Sequence, residues 1–298
     1  MTEAMTKQGR VELSYQLLQG AVDLHIHTAP DIFPRSVTAI EAAEEAKAAG
    51  MDAIVVKSHS TDTAARAEMA RTATGFDVRG GVALNYPVGG LNPYAVLESA
   101  KQGGRIVWLP TLSARHFLAH AENVPVLRAE SPVGSEGIVV VDDNGNLKPE
   151  IEDILQLIKE HDMILASGHV SPSEAIKVFR RAAELGITRM IVTHPHALFV
   201  GASAEDMREL ASFGAMNEFQ YAFVTKVIVP PQTMGHIAEL IRKVGMESCH
   251  LATDGGQKVN PHPAEAFRLF IEGMLEEGFT PDELRYMTSE APKRLLAG

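Results

Sequence analysis

Two histidines stand two residues apart near the start of the chain. His25 and His27 close the apolar run AVDLHIH at 21–27. On an extended strand, residues i and i+2 point to the same face, so both imidazoles can reach one ion. Three groups of the same kind close three later apolar runs. His169 ends MILASGH (163–169), His194 ends RMIVTH (189–194) and Asp254 ends CHLATD (249–254). Imidazole and carboxylate are the donors that hold zinc, manganese, iron or nickel. A metal in such a set activates water and polarises a carbonyl. One buried histidine is an ordinary structural residue. Five metal-type residues at the ends of four apolar runs form a pattern.

The elements that must position them can be read from the same runs. Four more, DAIVVKSH (52–59), RGGVALN (79–85), RIVWLP (105–110) and AMNEF (215–219), bring the number to eight. Several are nearly continuous in Val, Ile and Leu, as in parallel strands buried on both faces. Amphipathic segments separate them, with readable ends. Thr38-Ala-Ile-Glu41 and Ser171-Pro172-Ser173-Glu174 read as capping boxes, the second with Pro at the first helical position. Ser203 to Asp206 and Thr280 to Glu283 open two more helices, and further helices are expected near 61–73, 93–102, 150–160, 232–244 and 262–277. Eight strand–helix units in order predict an α/β fold, a (β/α)8 TIM barrel, in which C-terminal strand ends converge on one rim. The alternative is a doubly wound open sheet. The interval from 110 to 169 is much longer than the others. It contains GIVVVDDNGNLKPE (137–150), read as a small β-hairpin turning at Asn144-Gly145. The expectation is one domain over 1–298, with an N-terminal extension at 1–20 and an insertion at about 111–149 over the barrel mouth. Val11, Leu13, Leu17 and Leu18 make 1–20 a short helix that packs on the barrel or on a partner.

Composition narrows the functional classes. The chain has 298 residues, 45% hydrophobic and 22% charged, which suits a folded globular protein. Its formal net charge is −11, which disfavours binding to nucleic acid. The single cysteine, Cys249, excludes an internal disulfide and a Cys-based zinc module. The N-terminal segment lacks the apolar core of a signal peptide, and no run reaches membrane-spanning length. A cytoplasmic protein without a membrane partner is expected.

The set Asp23-Leu24-His25-Ile26-His27 on the first strand, His169 and His194 on the fifth and sixth, and Asp254 on the eighth resembles the amidohydrolase superfamily of metal-dependent hydrolases, over roughly 21–296. That resemblance implies that His25, His27 and Asp254 hold a first ion. His169 and His194 would join a second ion or divide between metal and substrate. Asp254 would also take a proton from the activated water. The implied cofactor is a divalent metal, zinc first, with manganese, iron or nickel as alternatives, and one or two ions. Many two-metal members carry a lysine or glutamate on the fourth strand, but here that strand is Ile106-Val107-Trp108-Leu109-Pro110. The second strand instead offers Lys57 and His59, again two apart. The Lys-Ser-His pattern resembles a poorly characterised branch of the superfamily, so a substrate does not transfer.

The other candidates carry open roles. Lys57 pairs with a carboxylate or substrate anion, is carboxylated to bridge metals, or forms a structural ion pair. His59 is a ligand, a substrate contact or a support for one. Glu218 binds metal, acts as an acid or caps a loop. Asn85 shapes the pocket, and Arg115 suits a substrate carboxylate or is simply solvated. His250 and Cys249 read as core, and His120, His161 and His236 as surface. The expected reaction is hydrolysis of an amide, cyclic amide, lactone or ester of a small, carboxylated or neutral substrate. Alternatives are decarboxylation or hydration on the same barrel, and phosphoester hydrolysis, since PHP-like barrels resemble this chain in the HxH start. A non-catalytic binding protein is the remaining class. The superfamily resemblance also implies a homo-oligomer.

Overall fold

Nine short parallel strands carry the apolar runs, described by a computed structural model that covers residues 6–124, 127 and 136–297. They are β1 (Val22–His27), β2 (Ala53–Lys57), β3 (Asp77–Arg79), β4 (Gly81–Ala83), β5 (Ile106–Trp108), β6 (Ile164–Ala166), β7 (Met190–Val192), β8 (Met216–Gln220) and β9 (Cys249–Ala252). Pairing runs β1-β2-β3 and then β4 through β9 in sequence order. β3 and β4 are two halves of one barrel strand, interrupted at Gly80. A Cβ there would lie 2.3 Å from Thr63 O, so only glycine lets the Thr63 turn come so close. The Thr63 hydroxyl staples that seam. It lies 2.7 Å from Val56 O and 2.9 Å from Gly81 O, and it accepts from Gly81 N. At the other edge Ile26 bridges Gly255 in parallel, and His27 N donates to Gly255 O at 2.8 Å. The eight-stranded barrel predicted from the runs is therefore closed.

Alternation sorts the side chains. Val22, Leu24, Ala53, Val55, Ile106, Trp108, Ile164 and Ile191 form a cluster inside the barrel, joined by Leu295 of the C-terminal helix. Their neighbours Ile54, Val56, Phe219 and Leu251 pack outward beneath the helices. The register of β1 shifts between Asp23 and Ile26, and this irregularity lets both Leu24 and His25 face inward. Thr38, Ser171, Ser203 and Thr280 all form complete capping boxes. The helix Lys7–Leu18 buries Leu17 and Leu18 against the barrel, and Arg268 Nη1 donates to Ser14 Oγ at 3.0 Å.

The expected hairpin is smaller than its sequence suggests. It reduces to one antiparallel bridge, Val141 with Leu147. Asp142 Oδ1 accepts from both Asn144 N and Asn146 N, which closes the turn before longer strands can pair. Lys177 Nζ holds the turn through Gly145 O at 2.7 Å, on the flank of the helix Pro172–Glu184. The insertion also holds a helix, Arg115–His120, and its positions 125, 126 and 128–135 lie outside the described residues. No helix among the described residues is long and apolar enough to cross a membrane.

Candidate active site

β1 carries His25 and His27 within the strand, whereas four other strands stop two or three residues before a chemical group. His59, His169, His194 and Asp254 all lie just past β2, β6, β7 and β9, on turns at the C-terminal rim. Two of those turns are strained. His194 and Asp254 have φ of 30° and 48°, in the left-handed region, and Asp162 is the one other non-glycine residue so placed among the described residues. Such backbone costs on the order of 1–3 kcal/mol per residue and persists where the surroundings impose it, commonly at functional sites.

The groups meet in one small chamber of about 40 Å³, lined by His25, His27, Lys57, His59, His169, His194 and Asp254. His27 Nε2 is 3.0 Å and His25 Nε2 3.5 Å from Asp254 Oδ1. Ligand atoms of these three residues lie within 4.8 Å of one another. His169 and His194 face them from the opposite wall, with ring centroids 4.8 Å apart, and His194 is 6.1 Å from His25. His59 stacks on His27 at 4.9 Å.

Burial keeps these imidazoles neutral. It lowers His25 to about 3 and drives His27, His59, His169 and His194 well below the usual histidine range. A neutral imidazole is the form that ligates a metal. His25 is also oriented from behind. Its Nδ1 lies 2.9 Å from Glu218 Oε2, which accepts from Gln220 Nε2 at 2.6 Å as well. Gln220 Nε2 also lies 2.6 Å from His25 Nδ1, so Glu218 and Gln220 together fix the ring with Nε2 towards Asp254. Burial raises the Glu218 carboxyl to about 7. Lys57 is wholly buried; its Nζ lies 3.2 Å from His25 Nε2 and 5.4 Å from the Trp108 ring centroid. Burial outweighs the pull of Asp254 and Glu218 and lowers its ammonium to about 8.

The donor chemistry fits a divalent ion. Two neutral imidazoles and a carboxylate converge, leaving room beside them, as in catalytic sites that keep a coordination position open. The Nδ1 atoms of His27, His169 and His194 are buried without a partner among the described residues.

Three further candidates lie outside the chamber lining. Arg115 is half exposed, 3.5 Å from Glu136, and does not line the chamber. The loop after β5 carries it outward. Asn85 is a strut: its Oδ1 accepts from Thr111 N and Ser113 N, and its Nδ2 donates to Thr111 Oγ1 and His59 O. Thr111 Oγ1 in turn lies 2.9 Å from His59 Nδ1. Glu218 lies beneath His25, outside the chamber lining. Seven lining residues were not singled out from sequence: Arg35, Leu127, Phe199, Phe223, Val227, Ile228 and Gln257. Phe199 packs on His169 and His194 at 5.0 and 5.3 Å. Arg35 lies between the first strand and the Thr38 cap, on a rim loop, and that position was the available signal. Of the discounted residues, His250 and Cys249 are buried, the latter with its thiol pushed up to about 12.

The sequence profile of a family of unknown function (DUF6282) matches residues 20–218. No curated protein matches the chain in sequence. Among solved structures it is similar to an amidohydrolase from Pseudomonas aeruginosa, at 13% identity and TM-score 0.61, over 96% of this chain and 98% of that one. A probable dipeptidase from the same organism gives 10% identity and TM-score 0.63, over 97% and 98%. A 2,6-dihydroxybenzoate decarboxylase from Rhizobium gives 11% and 0.52, over 93% and 98%. Likeness at this identity speaks for the fold, an amidohydrolase-type barrel, and the profile match places the chain in the family of unknown function DUF6282.

Proposed function

We propose that this chain is a metal-dependent hydrolase acting on an amide, cyclic amide, lactone or ester of a small substrate. The observation that carries this reading is the convergence of His25, His27 and Asp254 within 4.8 Å in a chamber lined by neutral imidazoles. These three residues would hold one divalent ion, zinc in the first instance. When bound, such an ion supplies an activated water and polarises the carbonyl. Asp254, the carboxylate that lines the chamber, accepts the water proton and returns it to the leaving group. His194 and His169 face it across the chamber and donate hydrogen bonds to the carbonyl oxygen as charge builds there. Lys57 adds positive charge to the same space, and Phe199 and Phe223 exclude water from it.

The test is turnover of a panel of lactones, cyclic amides and esters by metal-loaded protein, wild type against Asp254→Asn. The reading predicts hydrolysis that falls by about 10²–10⁴-fold in the variant while its fold is kept. Release of carbon dioxide from aryl carboxylates without hydrolysis of any panel member would replace it with the decarboxylase reading.

A further inference from the structure

The chamber is too small for a whole substrate. Its volume of about 40 Å³ accommodates two or three water-sized groups, enough for a reacting carbonyl and a water. It opens directly into a second space of about 500 Å³, and Arg35, Leu127, Val227 and Gln257 line both. The outer groove is walled mainly by apolar side chains, Phe33, Val124, Leu127, Val227 and Val259. Val259 at its outer edge is 77% exposed.

Arg35 stands where the two spaces join. It is only 8% exposed. Its Nε donates to Asp31 Oδ2 at 3.0 Å, and that carboxylate holds the side chain in place. Its Nη2 lies 3.0 Å from the same Asp31 oxygen, so Asp31 takes one edge of the guanidinium and a ligand would meet the other. A guanidinium presents a planar fork of donors that matches a carboxylate. Charge around the opening reverses that of the molecule. The chain carries −11 in total, yet beyond the Arg35–Asp31 ion pair the residues lining the two spaces include Lys57, Lys226 and Lys258 against one carboxylate, Asp254. A local positive field of this kind draws anions towards the site.

We propose that the substrate is an amphipathic carboxylate. Its scissile group enters the chamber, its carboxylate pairs with Arg35, and its apolar body lies along the outer groove. This rests on the hydrolase reading above for the identity of the reacting group, and on the groove alone for the shape and charge of the ligand. Arg35 and not Arg115 is then the anion anchor.

The experiment is calorimetric titration of the protein with acetate, butyrate, hexanoate and octanoate, and with hexanamide as the uncharged counterpart. It is run on metal-loaded and on chelator-treated protein. Affinity should rise about fourfold for each methylene seated in the groove, until the groove is filled. Hexanoate should bind at least tenfold more tightly than hexanamide. Arg35→Gln should remove that tenfold while leaving hexanamide unchanged, and Arg35→Lys should restore part of it. Val227→Asp should flatten the dependence on chain length. Equal binding of acetate and octanoate would overturn the proposal, as would equal binding of hexanoate and hexanamide. Carboxylate preference that survives Arg35→Gln and vanishes with chelation would also overturn it, since the anion then sits on the ion. Concentration-dependent dimerisation abolished by Val259→Asp would assign the groove to a second copy instead. Because chelator-treated protein gives the same readings, loss of the hydrolase reading and loss of this proposal are separable.

Discussion

Burial acts in opposite directions on the acids and bases around His25. It strips the proton from the imidazole and retains it on the carboxyls of Glu218 and Asp23, both raised to about 7. Glu218 orients His25 through Nδ1, so Glu218→Gln should weaken metal binding by about 10–100-fold while circular dichroism stays unchanged. Competition with a chromophoric chelator measures it, and unchanged affinity would demote Glu218 to a structural residue. Asp23 gives a pH prediction. Its carboxylate accepts from His25 N, Thr253 N and Thr253 Oγ1, yet burial still lifts it from 3.8 to about 7. The folded state therefore holds its proton more tightly than the unfolded chain. The stability this contributes is complete below about pH 4 and is lost as pH rises through about 7, a change on the order of 4 kcal/mol. Asp23→Asn keeps the acceptor and adds a donor towards Thr253. It should flatten that part of the stability profile in chelator-treated protein, as read by urea unfolding between pH 4 and 8.

At the scale of elements, the site depends on how β1 and β9 meet. Gly256 follows Asp254 by two residues at φ 108°, and a Cβ there would lie 1.9 Å from His27 O. Gly256→Ala forces the loop off β1 and should cost more than about 3 kcal/mol in denaturant unfolding, with metal affinity falling as Asp254 moves from His27. A cost under about 1 kcal/mol would show that the closure is looser than drawn. The elements were largely legible in the sequence. The alternation of apolar runs with capped helices gave eight barrel strands, and the endings of those runs placed His25, His27, His169, His194 and Asp254 on one rim. The rest was hidden for physical reasons. The run at 79–85 took in β4 but only Arg79 of β3, because the break at Gly80 comes from Thr63, a contact across the chain. The hairpin at 137–150 carried strand-like residues, but its pairing was decided by the side chain of Asp142. Arg115 followed a strand end as the histidines did, while Arg35 looked like an ordinary loop residue. Which of them faces the chamber depends on where each loop docks: Ser36 N donates to Gly256 O, and Arg35 bridges Gln257. No local pattern encodes that pairing.

At the scale of the molecule, the barrel concentrates neutral imidazoles and cations at one end of an acidic protein. A ligand bound by the folded state alone stabilises it by mass action, by about 2.7 kcal/mol at a hundredfold excess over the dissociation constant. For a chain of this length, that excess of zinc or manganese should raise the melting temperature by roughly 4–5 °C. The shift should be absent from the His25→Ala/His27→Ala variant. The most direct measurement is elemental analysis of protein purified without a metal-affinity tag, alongside that double variant. One equivalent of a divalent transition metal per chain is expected, with a second only if His169 and His194 recruit it, and loss of the metal from a variant that still folds. No bound metal, and no uptake on addition of zinc or manganese, would contradict that expectation.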